Sequence, residues 1–230
     1  MLPAIIAVGV ITTVAFLILR VTKGGLPAMY CKAGASLCFI GTAFAAFSYG
    51  RERFAYGVLM ILGLIFGLLG DIWLDLKYVY DNHKDIYLYS GFISFMCGHV
   101  FFISAIAYEF TQYKLWHFAL SIAVCIVMAL GVCLSEKPMK LKYGKFKPIV
   151  ILYTFFVTMS AATSIIGMFT HGFSAKFVWL SIGSVAFLLS DLVLSSIYFG
   201  ENKNTRLNVL INHLLYYFAQ FALAGTILLK

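Results

Sequence analysis

The sequence predicts an all-α integral membrane protein with about eight transmembrane helices, and three observations support that prediction. Of the 230 residues, 62% are hydrophobic and only 11% are charged, whereas a soluble domain carries about a quarter charged residues. Apolar runs of roughly 20 residues, the length that a helix needs to cross a bilayer, recur along the whole chain. Short polar separators leave no room for a soluble domain.

Each apolar run is interpreted as one helix of a single transmembrane domain over residues 1–230. The predicted spans are about 3–19, 27–49, 56–77, 86–108, 115–134, 147–170, 176–199 and 207–229. The first run lacks a preceding basic segment and a small-residue cleavage pattern, so we expect a retained helix and not a signal peptide.

The net charge of +8 is distributed in a way that indicates membrane topology. Most Lys and Arg residues lie in the odd-numbered loops, above all in the loop at 135–147. Because cytoplasmic loops carry an excess of these residues, we expect the odd-numbered loops to be cytoplasmic and both termini to lie opposite. The pattern favours a multi-pass protein of the cell membrane, surrounded by the lipid bilayer, with no nucleic-acid partner.

A short sequence repeat indicates that the chain has two similar halves. The segment around Asp71, Leu68–Leu74, resembles Leu188–Leu194 around Asp191. The two aspartates are 191 − 71 = 120 residues apart, an offset that maps the third helix onto the seventh. We interpret this as two parallel four-helix repeats, and the alternative is a chance match between Leu-rich segments. Repeat interfaces often hold the sites of membrane proteins.

Polar side chains inside the apolar runs are the functional candidates, because a charge there costs roughly 2.5–3.5 kcal/mol to insert. In the expected orientation these candidates all fall in the cytoplasmic half of the membrane, which predicts one polar cavity opening toward that side. The set comprises Asp71, Asp75, Asp191, Lys32, His99, Tyr153, Tyr217 and Gln220.

Several of these candidates also have a structural explanation. Asp75 lies one helical turn beyond Asp71 and near the interface. Lys32 has a long stem that could carry its ammonium group to water. His99 could be a neutral, hydrogen-bonded histidine of the core. Asp71 and Asp191 are the hardest to explain in this way.

Two carboxyl groups in a low-dielectric cavity suit acid–base catalysis, since one can donate a proton while the other activates water. Asp71 and Asp191 are therefore the predicted catalytic pair. The sequence contains no Gly-x-Ser-x-Gly elbow, His-Glu-x-x-His motif or P-loop, so we expect no cofactor and no metal. The alternatives are a transporter for a lipid or proton-coupled solute, and a metal-dependent membrane hydrolase with Asp71, Asp191 and His99 as ligands.

At these residues the chain resembles the YhhN-like membrane proteins, which include the lysoplasmalogenases. Five motifs in the same order carry the resemblance, together with the helix count. They are Lys32 early in the second helix, Gly70-Asp71, the Gly91/Phe95/His99 pattern, Ser190-Asp191, and Tyr216-Tyr217-Phe218-Ala219-Gln220. Two positions differ from the family pattern: Ala33 stands where proline is usual, and Phe102 where tyrosine is common.

The resemblance implies hydrolysis of the vinyl-ether bond of lysoplasmalogens, a class of lysophospholipid, to a fatty aldehyde and a glycerophospho-alcohol. Asp71 and Asp191 would be the acid–base pair, in either order. Lys32 would hold the phosphate, and Asp75 would also belong to the substrate-binding set. His99, Tyr153, Tyr217 and Gln220 would orient water or the glycerol hydroxyl.

Overall fold

All eight predicted helices are present in a computed structural model, which describes residues 2–49, 53–110 and 114–229. Each helix is long and apolar enough to cross a membrane. They are α1 (Leu2–Thr22), α2 (Gly25–Tyr49), α3 (Phe54–Leu76), α4 (Lys84–Glu109), α5 (Leu115–Ser135), α6 (Lys147–Thr170), α7 (Ala175–Phe199) and α8 (Arg206–Gly225). Arg51 and Lys230, which count toward the predicted far side, lie outside the described residues.

The predicted spans agree with these helices to within a few residues, and the largest difference is at the end of α8. The apolar run was expected to be helical to residue 229, but α8 ends at Gly225 and a 3₁₀ turn follows over Thr226–Leu228. The Thr226 hydroxyl lies 2.6 Å from the Tyr56 hydroxyl. This buried hydrogen bond gives the polar group at the helix end a partner that the sequence pattern does not reveal.

Helices adjacent in sequence pack against each other, with the exception, among the described residues, of α4 and α5. The α4–α6 and α2–α8 contacts join the bundle across its two halves. In two parallel four-helix repeats, α2 corresponds to α6 and α4 corresponds to α8. The α2–α8 contact then corresponds to the α6–α4 contact, and both are present. The repeat itself remains a prediction.

Close packing of α3 against α4 depends on glycine, as is common where membrane helices approach closely. A Cβ added at Gly70 would lie 2.6 Å from the Phe95 ring, and one added at Gly91 would lie 2.3 Å from the Leu74 side chain. Gly98 faces the Gly63 carbonyl oxygen, 3.0 Å from an added Cβ. The glycines of the sequence motifs therefore let α4 lie directly beside the turn of α3 that carries Asp71.

The loops gather at two ends, named here the odd-loop end and the even-loop end. At the odd-loop end, the Lys142 amide donates to the Phe199 carbonyl at 2.8 Å, which joins the fifth loop to the end of α7. At the even-loop end, Glu109 forms ion pairs with Arg53 and with Lys176. Asp71, Asp75, Asp191, Lys32 and Tyr153 lie in the halves of their helices that are nearer the odd-loop end. His99, Tyr217 and Gln220 lie past the midpoints of α4 and α8, so the expectation that all candidates fall in one half of the membrane is wrong for these three.

Candidate functional site

Asp71 is a buried carboxylate with three donors around it. Lys32 Nζ lies 3.0 Å from Asp71 Oδ1. The hydroxyl groups of Ser36 and Tyr216 each donate to Asp71 Oδ2 at 2.7 Å. The three partners come from α2 and α8, so the Asp71 side chain ties α3 to both helices. A carboxylate with a cation and two hydroxyl donors is stabilised in its charged form.

Asp75, one turn further along α3, interacts with two cations. Arg20 at the end of α1 forms an ion pair with Asp75 Oδ2. Lys32 Nζ lies 3.2 Å from Asp75 Oδ1, and so bridges Asp71 and Asp75. The Arg20 guanidinium also lies 5.3 Å from the centroid of the Phe16 ring. Asp75 is therefore joined to α1 and α2 by charge-assisted contacts.

Tyr217 and Gln220 contact residues that are themselves hydrogen-bonded to or paired with Asp71. The Tyr217 hydroxyl donates to the Lys32 carbonyl at 3.1 Å, and Gln220 Nε2 donates to the Tyr216 hydroxyl at 2.9 Å. Both predicted residues thus contact partners of Asp71 and not its carboxylate.

Asp191 on α7 has a different environment. The Tyr153 hydroxyl donates to Asp191 Oδ2 at 2.5 Å, and no cation among the described residues lies within ion-pair distance. Next to it, Asn212 Nδ2 donates to the Ser190 carbonyl at 2.8 Å, and the Ser190 hydroxyl donates to the Asn212 carbonyl at 3.1 Å. Ser190 therefore fixes α7 against α8, while Asp191 keeps one hydroxyl partner.

His99 lies apart from the carboxyl groups. Its Nδ1 is 3.0 Å from the Ser160 hydroxyl, and its ring packs 4.6 Å from that of Phe187. The His99 ring centroid lies 6.0 Å from that of Tyr153, whose hydroxyl donates to Asp191. Among the described residues, no three His, Cys, Asp or Glu side chains come together as a metal site requires.

Asp71 and Asp191 line the same small cavity, named here the acid cavity. Its volume is about 20 Å³, which is room for about one water molecule. Asp71 is 2% exposed, whereas Asp191 is partly accessible. The other lining residues include Lys32, Ser190, Asn212 and Tyr216.

Asp191 also lines an apolar pocket of about 230 Å³. It is formed between four helices, with Phe92 from α4, Val132 from α5, Val157 from α6 and Leu188 from α7. Asp191 and its partner Tyr153 supply polar atoms to this wall. The Asp191 carboxyl group therefore borders both the acid cavity and a space suited to a hydrocarbon chain.

A polar vestibule of about 340 Å³ lies at the odd-loop end. Arg20, Arg206 and His213 line it, together with the turn between α1 and α2 and the loop before α8. Its only acidic residue among the described ones is Asp75, which is already paired with Arg20 and Lys32. The vestibule therefore carries a positive balance of charge.

Three residues that contact Asp71 or Asp75 are not among the predicted site residues: Arg20, Ser36 and Tyr216. Arg20 was assigned to the first loop, but α1 continues through Thr22 and turns the guanidinium inward. Tyr216 belongs to the motif that ends in Gln220, and its spacing of four residues from Gln220 was the available signal. Ser36, one turn after Lys32 on α2, shares the face of that lysine.

Comparison with known proteins agrees with the motif pattern. The sequence model of the YhhN family matches residues 27–227, nearly the whole chain. A search of curated proteins and a search of solved structures give no significant match.

Proposed function

The chain belongs to the YhhN family of membrane proteins, and we propose that it is a hydrolase of the cell membrane that cleaves the vinyl-ether bond of lysoplasmalogens. One observation carries the proposal: Asp191 borders both the acid cavity, which it shares with Asp71, and the apolar pocket. A lipid with its chain in that pocket would present the first bond of its polar part to both carboxyl groups.

The surroundings of the two aspartates favour different roles. Asp191 has no cation within ion-pair distance among the described residues and accepts one hydrogen bond, from Tyr153. It is the better candidate for the carboxyl group that carries a proton to the substrate. Asp71, held by Lys32 and two hydroxyl donors, is the better candidate for the carboxylate that stabilises a cation and accepts a proton from water.

The reaction then proceeds as acid-catalysed hydration. Asp191 donates its proton to the β-carbon of the vinyl ether, which leaves an oxocarbenium ion stabilised by Asp71. A water molecule adds to the cationic carbon and gives one proton to Asp71, as in the paired-acid chemistry of glycosidases. The hemiacetal collapses to a fatty aldehyde and the glycerol hydroxyl, and the proton returns to Asp191 through the shared cavity.

The vestibule supports a phosphorylated head group. Arg20 and Arg206 line it, and arginine binds phosphate through paired N–H donors. Lys32 already contacts two carboxylates and can offer a third donor to the phosphate. His213, Tyr153, Tyr217 and Gln220 would orient the glycerol part and the cluster around it.

The test is turnover of a lysoplasmalogen by purified protein in detergent, with the aldehyde detected by mass spectrometry. We expect aldehyde without any membrane gradient, as an enzyme and not a transporter would give, and in the presence of a strong chelator. Asp191→Asn should lower product formation by about a hundredfold or more while the protein stays monodisperse. Intact substrate in all samples would overturn the proposal, and chelator-sensitive turnover would favour the metal-dependent alternative.

A further inference from the structure

Two side chains of α7 border all three spaces of the site. Leu194 and Tyr198 line the acid cavity, the apolar pocket and the polar vestibule. They lie one helical turn apart, and Leu194 is one turn beyond Asp191, so the three side chains share one face of α7. Leu194 and Tyr198 are named here the divider.

The Tyr198 ring of the divider contacts Lys77, directly after α3. Lys77 Nζ lies 2.9 Å from the centroid of the Tyr198 ring. Lys77 follows Asp75 by two residues, so the ring contacts the same segment that is paired with Arg20 and Lys32. Such a cation–π contact stabilises one position of the ring. The Tyr198 side chain therefore extends from α7 to the end of α3.

The acid cavity beside the divider is too small for a second chain. A lipid with its chain in the apolar pocket and its head group in the vestibule passes the divider, with its vinyl ether against Asp191. The acid cavity between Asp191 and Asp71 has a volume of about 20 Å³, which leaves room for the attacking water and not for a chain. A second chain on the adjacent glycerol carbon would therefore have to lie where the Leu194 and Tyr198 side chains stand.

We propose that Leu194 and Tyr198 are the specificity-determining residues that restrict the site to lipids with a single chain. The inference rests on the proposed function, since it takes the vinyl ether to lie against Asp191. Removing the Leu194 side chain opens the space in which the second chain of a diradyl lipid would lie.

The test compares Leu194→Ala with Leu188→Ala, which removes the same side chain from the same helix. Leu188 lines the apolar pocket and does not line the acid cavity or the vestibule. The measurement is the ratio of kcat/KM for a plasmalogen with an acyl group on the adjacent carbon to that for the matching lysoplasmalogen. We expect Leu194→Ala to raise this ratio at least tenfold and Leu188→Ala to leave it within about twofold. Equal effects of the two variants, or no effect of Leu194→Ala, would overturn the inference.

A second pair of variants covers the case in which Leu194→Ala does not fold. Tyr198→Phe keeps the ring and should leave the ratio unchanged, whereas Tyr198→Ala should raise it. An identical ratio for both Tyr198 variants would contradict the divider.

A binding measurement separates this inference from the proposed function. A fluorescent single-chain phospholipid bound in detergent is displaced by a two-chain ester phospholipid, which has no vinyl ether to cleave. We expect displacement from Leu194→Ala at least tenfold more readily than from the wild-type protein. Absence of aldehyde from any vinyl-ether lipid, with this binding difference intact, would refute the proposed function alone. Turnover of the lysoplasmalogen without the binding difference would refute the divider alone.

Discussion

The two ends of the bundle each contain a buried lysine that is paired with a carboxylate. At the odd-loop end, Lys32 is 4% exposed and bridges Asp71 and Asp75. At the even-loop end, Lys176 is 1% exposed and lies 3.0 Å from Glu109. The two lysines are alike in burial, and each contacts at least one carboxylate.

The difference lies in the carboxyl groups. Glu109 is paired with both Arg53 and Lys176, so its charge is neutralised on two sides. At the odd-loop end Asp191 is close to Asp71 but has no cation partner among the described residues, and it borders an apolar pocket. A buried ion pair alone is therefore weak evidence for a site. The carboxyl group without a cation, beside space for a chain, is the informative feature.

The largest expected contrast is in activity. Asp71→Asn and Asp191→Asn should each lower turnover of a lysoplasmalogen by about 10²–10⁴-fold, the usual contribution of general acid–base catalysis. Glu109→Gln, at the other end, should keep turnover within about threefold of wild type. Initial rates of aldehyde release measure all three. Comparable losses in all three variants would remove the distinction between the ends.

The second contrast is in stability. Lys32→Met leaves two buried carboxylates with Arg20 as their remaining cation, and breaking such a pair costs about 3–5 kcal/mol. Lys176→Met leaves Glu109 with Arg53, so the loss should be smaller. Thermal unfolding in one detergent compares the two variants. A lower Tm for Lys176→Met than for Lys32→Met would reverse the comparison.

A third contrast concerns neighbouring tyrosines on α8. Tyr216→Phe removes a donor to Asp71, and a hydrogen bond to a charged group contributes about 1.5–3 kcal/mol. We expect kcat to fall about tenfold or more. Tyr217→Phe removes a bond to a backbone carbonyl and should change kcat less than threefold. If Tyr217→Phe were the more damaging variant, the orientation of α8 described above would be wrong.

The smallest effect is expected from the exposed ion pair between Lys142 and Glu201 at the odd-loop end. The hydrogen bond from Lys142 holds the pKa of Glu201 below its usual 4.5, and the same bond raises the pKa of Lys142 above 10.5. The pair therefore stabilises the fold between these values, and its contribution is lost as pH falls through the lowered pKa of Glu201.

Because both side chains are exposed, salt screens their attraction. Glu201→Gln should lower the Tm by a degree or less at pH 7 and low salt, and the difference should shrink at high salt and as the pH falls through the lowered pKa of Glu201. A difference that is the same at every pH and salt concentration would show that the loss at Glu201 is not electrostatic.

Sequence reasoning predicted the helices because bilayer thickness imposes a length and polarity on each one. It also identified Asp71, Asp191 and Lys32, because each carries an insertion cost that requires a reason. What it could not determine was the rotation of each helix about its axis. Tyr217 was therefore chosen over Tyr216, although Tyr216 is the residue that contacts Asp71.

The sequence also does not reveal which helix a long side chain contacts. Arg20 was counted with the first loop, yet its guanidinium reaches Asp75 on α3. The sequence predicts that His99 lies at the depth of the aspartates, but it lies past the midpoint of α4 and contacts the Ser160 hydroxyl. The hydroxyl that contacts Asp191 is that of Tyr153. Depth follows from position along a helix, whereas contacts across helices require the packing that Gly70 and Gly91 permit.

The central claim, that Asp191 protonates carbon while Asp71 assists water, is tested most directly by turnover of a lysoplasmalogen in deuterium oxide. Carbon protonation by a carboxyl group in exchange with solvent predicts an aldehyde that carries one deuterium on the carbon next to the carbonyl. Unlabelled aldehyde kept in the same buffer with Asp191→Asn protein controls for later exchange. Aldehyde released without that deuterium, or released equally fast by Asp191→Asn, would contradict the account.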